Sequence, residues 1–197
     1  PRVRKGFEDG LKVFESMGVE LIEDCIDFSE AHYLIRILRS LKFAAQADRL
    51  KNHRDQLKPE IIWNIETGLK LTGEEIAKAE LIRGKLFNDT AEFFNNYDMF
   101  ICPTVMVPPF DVEIRYLDEV EGVKFDDYIT WLYYTHSITL TSTPSVSLPC
   151  SFTDDGLPIG IQLVTECNNE FDLLSYSQSF ENYNSYTLET PIDPIIK

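Results

Sequence analysis

Basic residues are scarce in this sequence. Lys and Arg number 18 against 33 Asp and Glu, which leaves a net charge of −15 at pH 7. No run of cations offsets that excess, so the chain repels phosphate backbones and anionic lipid surfaces, and neither nucleic acid nor membrane is an expected partner. It also lacks an apolar run of the ~20 residues that span a bilayer, and an N-terminal stretch shaped like a signal peptide. The four cysteines, Cys25, Cys102, Cys150 and Cys167, show no CxxC spacing. They read as reduced thiols packed as small hydrophobes in a cytoplasmic protein, not as disulfides or metal ligands.

Recognisable catalytic sets are missing as well. The three histidines, His32, His53 and His136, stand in no HExxH or zinc-finger spacing, so neither metal nor other cofactor is expected. His136 alone lies in an aromatic-rich segment. The serines occupy no GxSxG elbow and no Ser-x-x-Lys, and there is no glycine-rich phosphate loop. The carboxylate pairs Glu74-Glu75 and Asp126-Asp127 are sequence neighbours that point apart on a helix, and Asp154-Asp155 forms a turn, so none makes an acid/base pair. Cys102 and Cys150 end apolar strands beside prolines, without the electropositive surroundings that make a thiol reactive.

What is present is an α/β pattern. Hydrophobic residues make up 44%, enough for a packed core. Val3, Phe7, Leu11 and Phe14 recur at helical spacing, predicting a helix to Met17 that stops at Gly18. "VELIED" reads as a strand, and Ser29 as the cap of a helix with Leu34, Leu38, Leu41 and Ala45 in one stripe. Pro59 opens a third helix, and the capping box "TGEE" at Thr72–Glu75 a fourth, with Ile76, Ala79, Ile82, Leu86 and Phe93 inward. "MFICPT" reads as a buried strand and "VPPFDVEIRYLDEVEGVKF" as a long loop. "DDYITWLYYTHSI" is helix-compatible, "PSVSL" and "PIGIQLV" are strands around an Asp-Asp-Gly turn, and a helix over about Asn169–Asn182 precedes an irregular tail, "LETPIDPIIK". No internal domain boundary is visible.

Four blocks from Ile62 to Val164 resemble the C-terminal half of the amidase signature family: "WNIETGLKLTGEEIAKAELIRGKLF", "FFNNYDMFICPTVMVPPFDVE", "EVEGVKFDDYITWLYYTHSITLTSTPSVSLPCSF" and "TDDGLPIGIQLV". The resemblance implies a mixed central β-sheet covered by helices, and hydrolysis of a small-molecule amide by a Ser–Ser–Lys triad with a backbone oxyanion hole. That family's Gly-Gly-Ser-Ser stretch lies N-terminal to these blocks and is absent here. No residue of this sequence is therefore assigned a catalytic role. With a helical pattern already open at Val3, the expectation is a C-terminal portion of one domain, inactive by itself, whose partner is the missing N-terminal half. An apolar face left open by that half makes a homo-oligomer possible.

The resemblance makes "LTSTPSVSLPCSF" wall and scaffold. It points to substrate-side roles for Trp131 and Tyr128 on the helix, Pro103 and Thr104 at the strand end, and Thr139 and Thr141 as polar contacts. The sequence also departs from the family pattern. Ser142, Thr143 and Ser145 stand where Gly, Leu and Ala are usual, and Ser151 where Gly is. Side chains in place of glycine shrink or polarise a pocket. A non-catalytic homologue or subunit that binds an amide ligand or a partner chain is the alternative reading.

Overall fold

The computed structural model describes residues 1–184 and 186, and the tail read as irregular, 188–197, lies outside them. Helices α1 (Arg2–Ser16), α2 (Ala31–Ala44), α3 (Ala47–His53), α4 (Pro59–Gly68) and α5 (Gly73–Phe94) precede strand β1 (Phe100–Pro103). There follow a hairpin of β2 (Glu119–Val120) and β3 (Val123–Lys124), then α6 (Tyr133–Leu140), β4 (Ser145–Phe152), β5 (Pro158–Val164) and α7 (Glu170–Tyr183). The chain folds into two compact units. One comprises Pro1–Asp24, Asp98–Asp111 and Thr143–Lys197, and the other Cys25–Tyr97 and Val112–Ser142.

The first unit is built on an antiparallel sheet in the order β1-β5-β4. Alternation along the strands sends Ile101, Val146, Leu148, Cys150, Ile159, Ile161 and Leu163 to one face, where α1 and α7 cover them. From α1 come Val3, Phe7, Leu11 and Phe14, the spacing expected from the sequence, and from α7 Leu173 and Phe180. Phe14 and Phe180 stack with ring centroids 4.8 Å apart. Each such side chain, fully buried, contributes ~1.5–3 kcal/mol. Ser151, where the family pattern has Gly, donates its hydroxyl to the Gly6 carbonyl (3.0 Å), so its polar group is satisfied inside the α1–β4 contact. Exposed ion pairs from Arg2 to Asp155 and Lys5 to Asp154 join α1 to the β4–β5 turn and add little stability.

In the second unit, α2, α5 and α6 enclose a core of Ala31, Leu34, Ile37, Ala79, Ile82, Leu86 and Leu140. The capping box of α5 forms as the sequence predicts. Thr72 Oγ1 accepts from the Glu75 N–H (3.2 Å), and the Thr72 N–H donates to Glu75 (2.8 Å). Helix α2 is rotated from the predicted stripe, since Leu41 is exposed and Ser40 is fully buried. The cause is the crossing with α4. A Cβ on Gly68 would overlap the Ser40 carbonyl and come within 3.0 Å of the Ala44 Cβ. The two backbones therefore touch there, with no room for a side chain.

Two other expectations changed. "VELIED" forms no strand: residues 19–28 have no regular structure, Val19 and Ile22 are exposed, and Leu21 alone of the three packs against the sheet-unit core, from an irregular segment. Within the long loop 107–125 the β2–β3 hairpin turns on Glu121 and Gly122, both at positive φ (51° and 81°), the conformation that two-residue hairpin turns need. Glutamate seldom adopts it, which is why the turn was not legible.

Two substitutions test the backbone constraints. Gly68→Ala meets backbone, which cannot rotate away, and lowers stability by about 2–3 kcal/mol in urea denaturation; a loss under about 0.5 kcal/mol contradicts the close α2–α4 crossing. Ser142 stands at φ 62°, and Ser142→Gly raises stability by about 1 kcal/mol by removing left-handed strain, whereas a decrease shows that the side chain does more than tolerate its backbone.

Candidate functional site

Helix α2 carries a second stripe besides its apolar one. His32, Arg36, Arg39 and Phe43 follow at intervals of four, three and four, and so share a face. That face meets the segment leading into α6. Asp127 reaches it with a side chain only 6% exposed. The carboxylate lies 3.1 Å from Arg36 Nε and 3.4 Å from His32 Nε2, and its other oxygen accepts from the Ile129 N–H (3.0 Å). Burial acts to raise the Asp127 pKa. The bond and charge of His32, the Ile129 amide and the charge of Arg36 outweigh it, so the carboxyl titrates below its ordinary value and stays ionised.

One residue on, the Tyr128 hydroxyl sits among three donors: Arg39 Nε (3.2 Å), Arg39 Nη2 (3.1 Å) and Asn64 Nδ2 (2.5 Å). Asn64, fully buried on α4, also donates to the Glu60 carbonyl (2.7 Å). The Tyr128 ring takes Trp63 edge-on at 5.8 Å and Tyr116 at the same centroid distance. The Arg39 guanidinium lies over Phe43 and Tyr128, 5.2 and 5.8 Å from their centroids. Tyr128 is therefore fixed at both ends, its oxygen by cation and amide and its ring by aromatics.

The remaining expected site residues are distributed as follows. Trp131 lies half-buried in the 3₁₀ turn Thr130–Leu132 that leads into α6. Thr139 is exposed and its hydroxyl donates back to the Thr135 carbonyl (2.9 Å); Thr141 is buried and donates to Ile138 (2.7 Å). These three and Tyr128 belong to the helical unit, and Pro103 and Thr104 to the sheet unit. Thr104 follows β1 on the sheet face opposite α1, where its Oγ1 and that of Ser147 are 2.7 Å apart. The pair fits because residue 160 is glycine: a Cβ there would lie 2.8 Å from Thr104 Oγ1 and 3.2 Å from Ser147 Oγ. Sequence reasoning missed Ser147 as a partner and the whole cationic stripe of α2. The four-three-four spacing was the available signal, but it only acquires meaning opposite Asp127 and Tyr128.

Nucleophilic chemistry finds no support in the thiols. The four cysteines are thiols, and burial pushes that of Cys150 up to about 11, so it remains protonated at neutral pH. Among the described residues no group of three His, Cys, Asp or Glu is arranged to hold a metal ion, and no helix is long and apolar enough to cross a membrane.

A family model described as Amidase matches residues 1–174. An acylamidase from Rhodococcus erythropolis is 23% identical over 192 residues, covering 95% of this chain and 40% of its own length. One component of a glutamyl-tRNA(Gln) amidotransferase from Syntrophomonas wolfei is 31% identical over 119 residues, 58% of this chain and 22% of its own. Among solved structures, an amidase superposes with a TM-score of 0.83 at 20% identity, over 93% of this chain and 42% of that one. A 6-aminohexanoate cyclic dimer hydrolase gives 0.79 at 18% identity, over 97% and 43%. The fold is shared, and the chain spans about 40% of the acylamidase's length.

The three-donor arrangement makes a measurable demand on the helical unit. Tyr128→Phe removes the acceptor and leaves Arg39 and Asn64 donors facing a ring edge, which costs about 1–3 kcal/mol in the denaturation midpoint at unchanged m-value; a neutral substitution shows that the hydroxyl is not what holds the segment.

Proposed function

The chain belongs to the amidase family, whose model matches residues 1–174, and from that membership we propose that it is the C-terminal part of an amidohydrolase cleaving a carboxamide to a carboxylate and ammonia or an amine. The observation that carries the reading is the pairing of that match with the share of its relatives that the chain spans, 40% for the acylamidase and 42% for the amidase structure. In this proposal the Ser–Ser–Lys triad lies outside these residues. One serine attacks the carbonyl carbon, the second relays its proton to the lysine, and backbone N–H groups take up the oxyanion charge. No serine here has an activating lysine in the pattern such chemistry uses, and the buried Cys150 thiol is held protonated.

The contribution assigned to these residues is the wall of the substrate site. In the helical unit Trp131 and Tyr128 are assigned aromatic contacts to the acyl group and Thr139 and Thr141 polar ones; in the sheet unit the assigned residues are Pro103 and Thr104 at the strand end. The Tyr128 hydroxyl is held by Arg39 and Asn64 and its ring is packed by Trp63 and Tyr116, so the role assigned to Tyr128 is that of a fixed apolar wall and not of a hydrogen-bonding group. The remainder of the same fold is the proposed partner. Four reduced thiols support a cytoplasmic location.

A second reading, a non-catalytic subunit that binds an amide or a partner chain, is favoured by one observation. Ser142 holds a left-handed backbone at φ 62° where the family pattern has glycine, so a side chain was accepted at a cost in strain.

A serine-directed fluorophosphonate probe separates these readings. On the first, the 197-residue chain neither takes the label nor hydrolyses a simple anilide, while a longer protein containing it does both and carries the label on a serine outside these residues. Labelling of a serine within the chain overturns the first reading. A longer protein that binds amides without turnover establishes the second.

A further inference from the structure

Four of the buried side-chain polar atoms without a hydrogen-bond partner among the described residues fall in one small region: His32 Nδ1, both ring nitrogens of His136, and Ser137 Oγ. His136 sits in the middle of α6 at 7% exposure. Its ring lies 5.9 Å from that of His32 and 5.4 Å edge-on from Tyr133, whose hydroxyl donates to the Phe28 carbonyl (2.8 Å). A neutral imidazole tolerates such a place. An imidazolium does not, because it needs two acceptors and neither nitrogen has one.

We propose that His136 makes the contact of α6 with α2 an acid-sensitive latch, in which protonation of its buried ring drives α6 and the Thr130–Leu132 turn away from α2. The charged and titratable groups around it can be taken element by element. Helix α2 presents His32, Arg36 and Arg39. The incoming segment presents Asp127, the single nearby group that favours the imidazolium, already held by His32 Nε2 (3.4 Å) and Arg36 Nε (3.1 Å). Helix α6 itself brings Tyr133 and Tyr134, and the stretch before α2 brings Cys25 and Asp27, whose charges act on Tyr133. Helix α5 meets Leu140 with apolar Ala79, Ile82 and Leu86.

Burial, followed by the charge of His32, lowers the His136 pKa from 6.5 to about 4, with Asp127 opposing and Arg39 reinforcing. The sign follows from linkage. Where α6 has opened, the ring binds its proton below about 6.5; closed, it does so only below about 4. The open form therefore holds more protons between those values, and the closed form loses up to about ten-fold in relative population for each pH unit descended. Asp127 titrates below its ordinary 3.8 and stays charged throughout that window. Acid thus acts on the histidine first. The latch belongs to the helical unit alone and holds whether or not the chain serves an amidohydrolase.

Hydrogen exchange on the full chain tests it, with rates corrected for intrinsic pH dependence. Between about pH 6.5 and about pH 4 the amides of 133–140 lose more than ten-fold in protection, while those of α7 keep theirs. His136→Leu removes the titrating group together with its orphaned nitrogens and keeps 133–140 protected across the window. His32→Gln, which removes a neighbour opposing the imidazolium, raises the pH at which the closed ring takes its proton, narrows the window and makes the loss of protection smaller. The ring of His136 is followed by NMR in the unsubstituted chain, so the proposal stays testable if a variant fails to fold. A His136 titration at about 6 or above overturns it, as does wild-type protection at 133–140 that persists to about pH 4, or loss in step with α7.

Discussion

A carboxylate with almost no exposed surface has to be neutralised where it sits, and Asp127 sets that requirement for the helical unit. Arg36 and His32 meet it from α2, and the Ile129 amide from the backbone beside it. Helix α2 must therefore turn its polar stripe to the segment entering α6 while its apolar stripe faces α5. Both demands are met only if α2 lies against α4 closely enough for Asn64 to reach the Tyr128 hydroxyl. The absent side chain at Gly68 allows that approach. Coulomb attraction in a desolvated place, hydrogen-bond accounting and steric exclusion thus act on the same few residues.

The polar accounting is incomplete beside this charge cluster, at His136. The orphaned nitrogens there lie next to a carboxylate already engaged by Arg36 and His32, so a proton added to the ring finds no free acceptor. On α6 and at its end the hydroxyls of Thr139 and Thr141 are satisfied within the helix, by Thr135 and Ile138, whereas Ser137 Oγ, next to His136 in the chain, has no hydrogen-bond partner. In the sheet unit no comparable charge is buried among the described residues. Its polar features are hydroxyls: Ser151 bonded to Gly6, and Thr104 paired with Ser147 over the bare backbone of Gly160.

Much of this was legible in the sequence. The α1 stripe, the Thr72 box, the Pro59 start of α4 and the strands around "SVSLPC" and "PIGIQLV" each follow from local chemistry or short-period patterning, and each is found. The family resemblance rests on the same blocks and is matched by the family model. Less legible were features that depend on a distant partner. "VELIED" alternates as a strand does, yet it pairs with no strand, and Leu21 reaches the core while Val19 and Ile22 are exposed. The Glu121-Gly122 turn breaks the usual residue preference. Spacing alone puts Leu34, Leu38, Leu41 and Ala45 on the inner face of α2; Leu34 and Leu38 do meet the core, but Leu41 is exposed and Ser40 is buried against α4 in its stead.

Of the expected site residues, Thr104 lies at a strand end as the sequence predicts, whereas Tyr128 and Trp131, expected on the helix, precede α6, which begins only at Tyr133; what their polar atoms meet was not readable from the sequence. The sequence by itself determined the charge balance, the helices other than α3, the capping, the membership of the amidase family and the absence of a recognisable catalytic set. These are properties of residue types and short spacings. Tertiary structure decided that Tyr128 spends its hydroxyl on Arg39 and Asn64, that His32 and Arg36 hold Asp127, and that His136 is buried with neither nitrogen bonded. The reason is physical: 64 residues separate Asn64 from Tyr128 and 89 separate Arg39 from it, and only packing brings such groups within bonding distance.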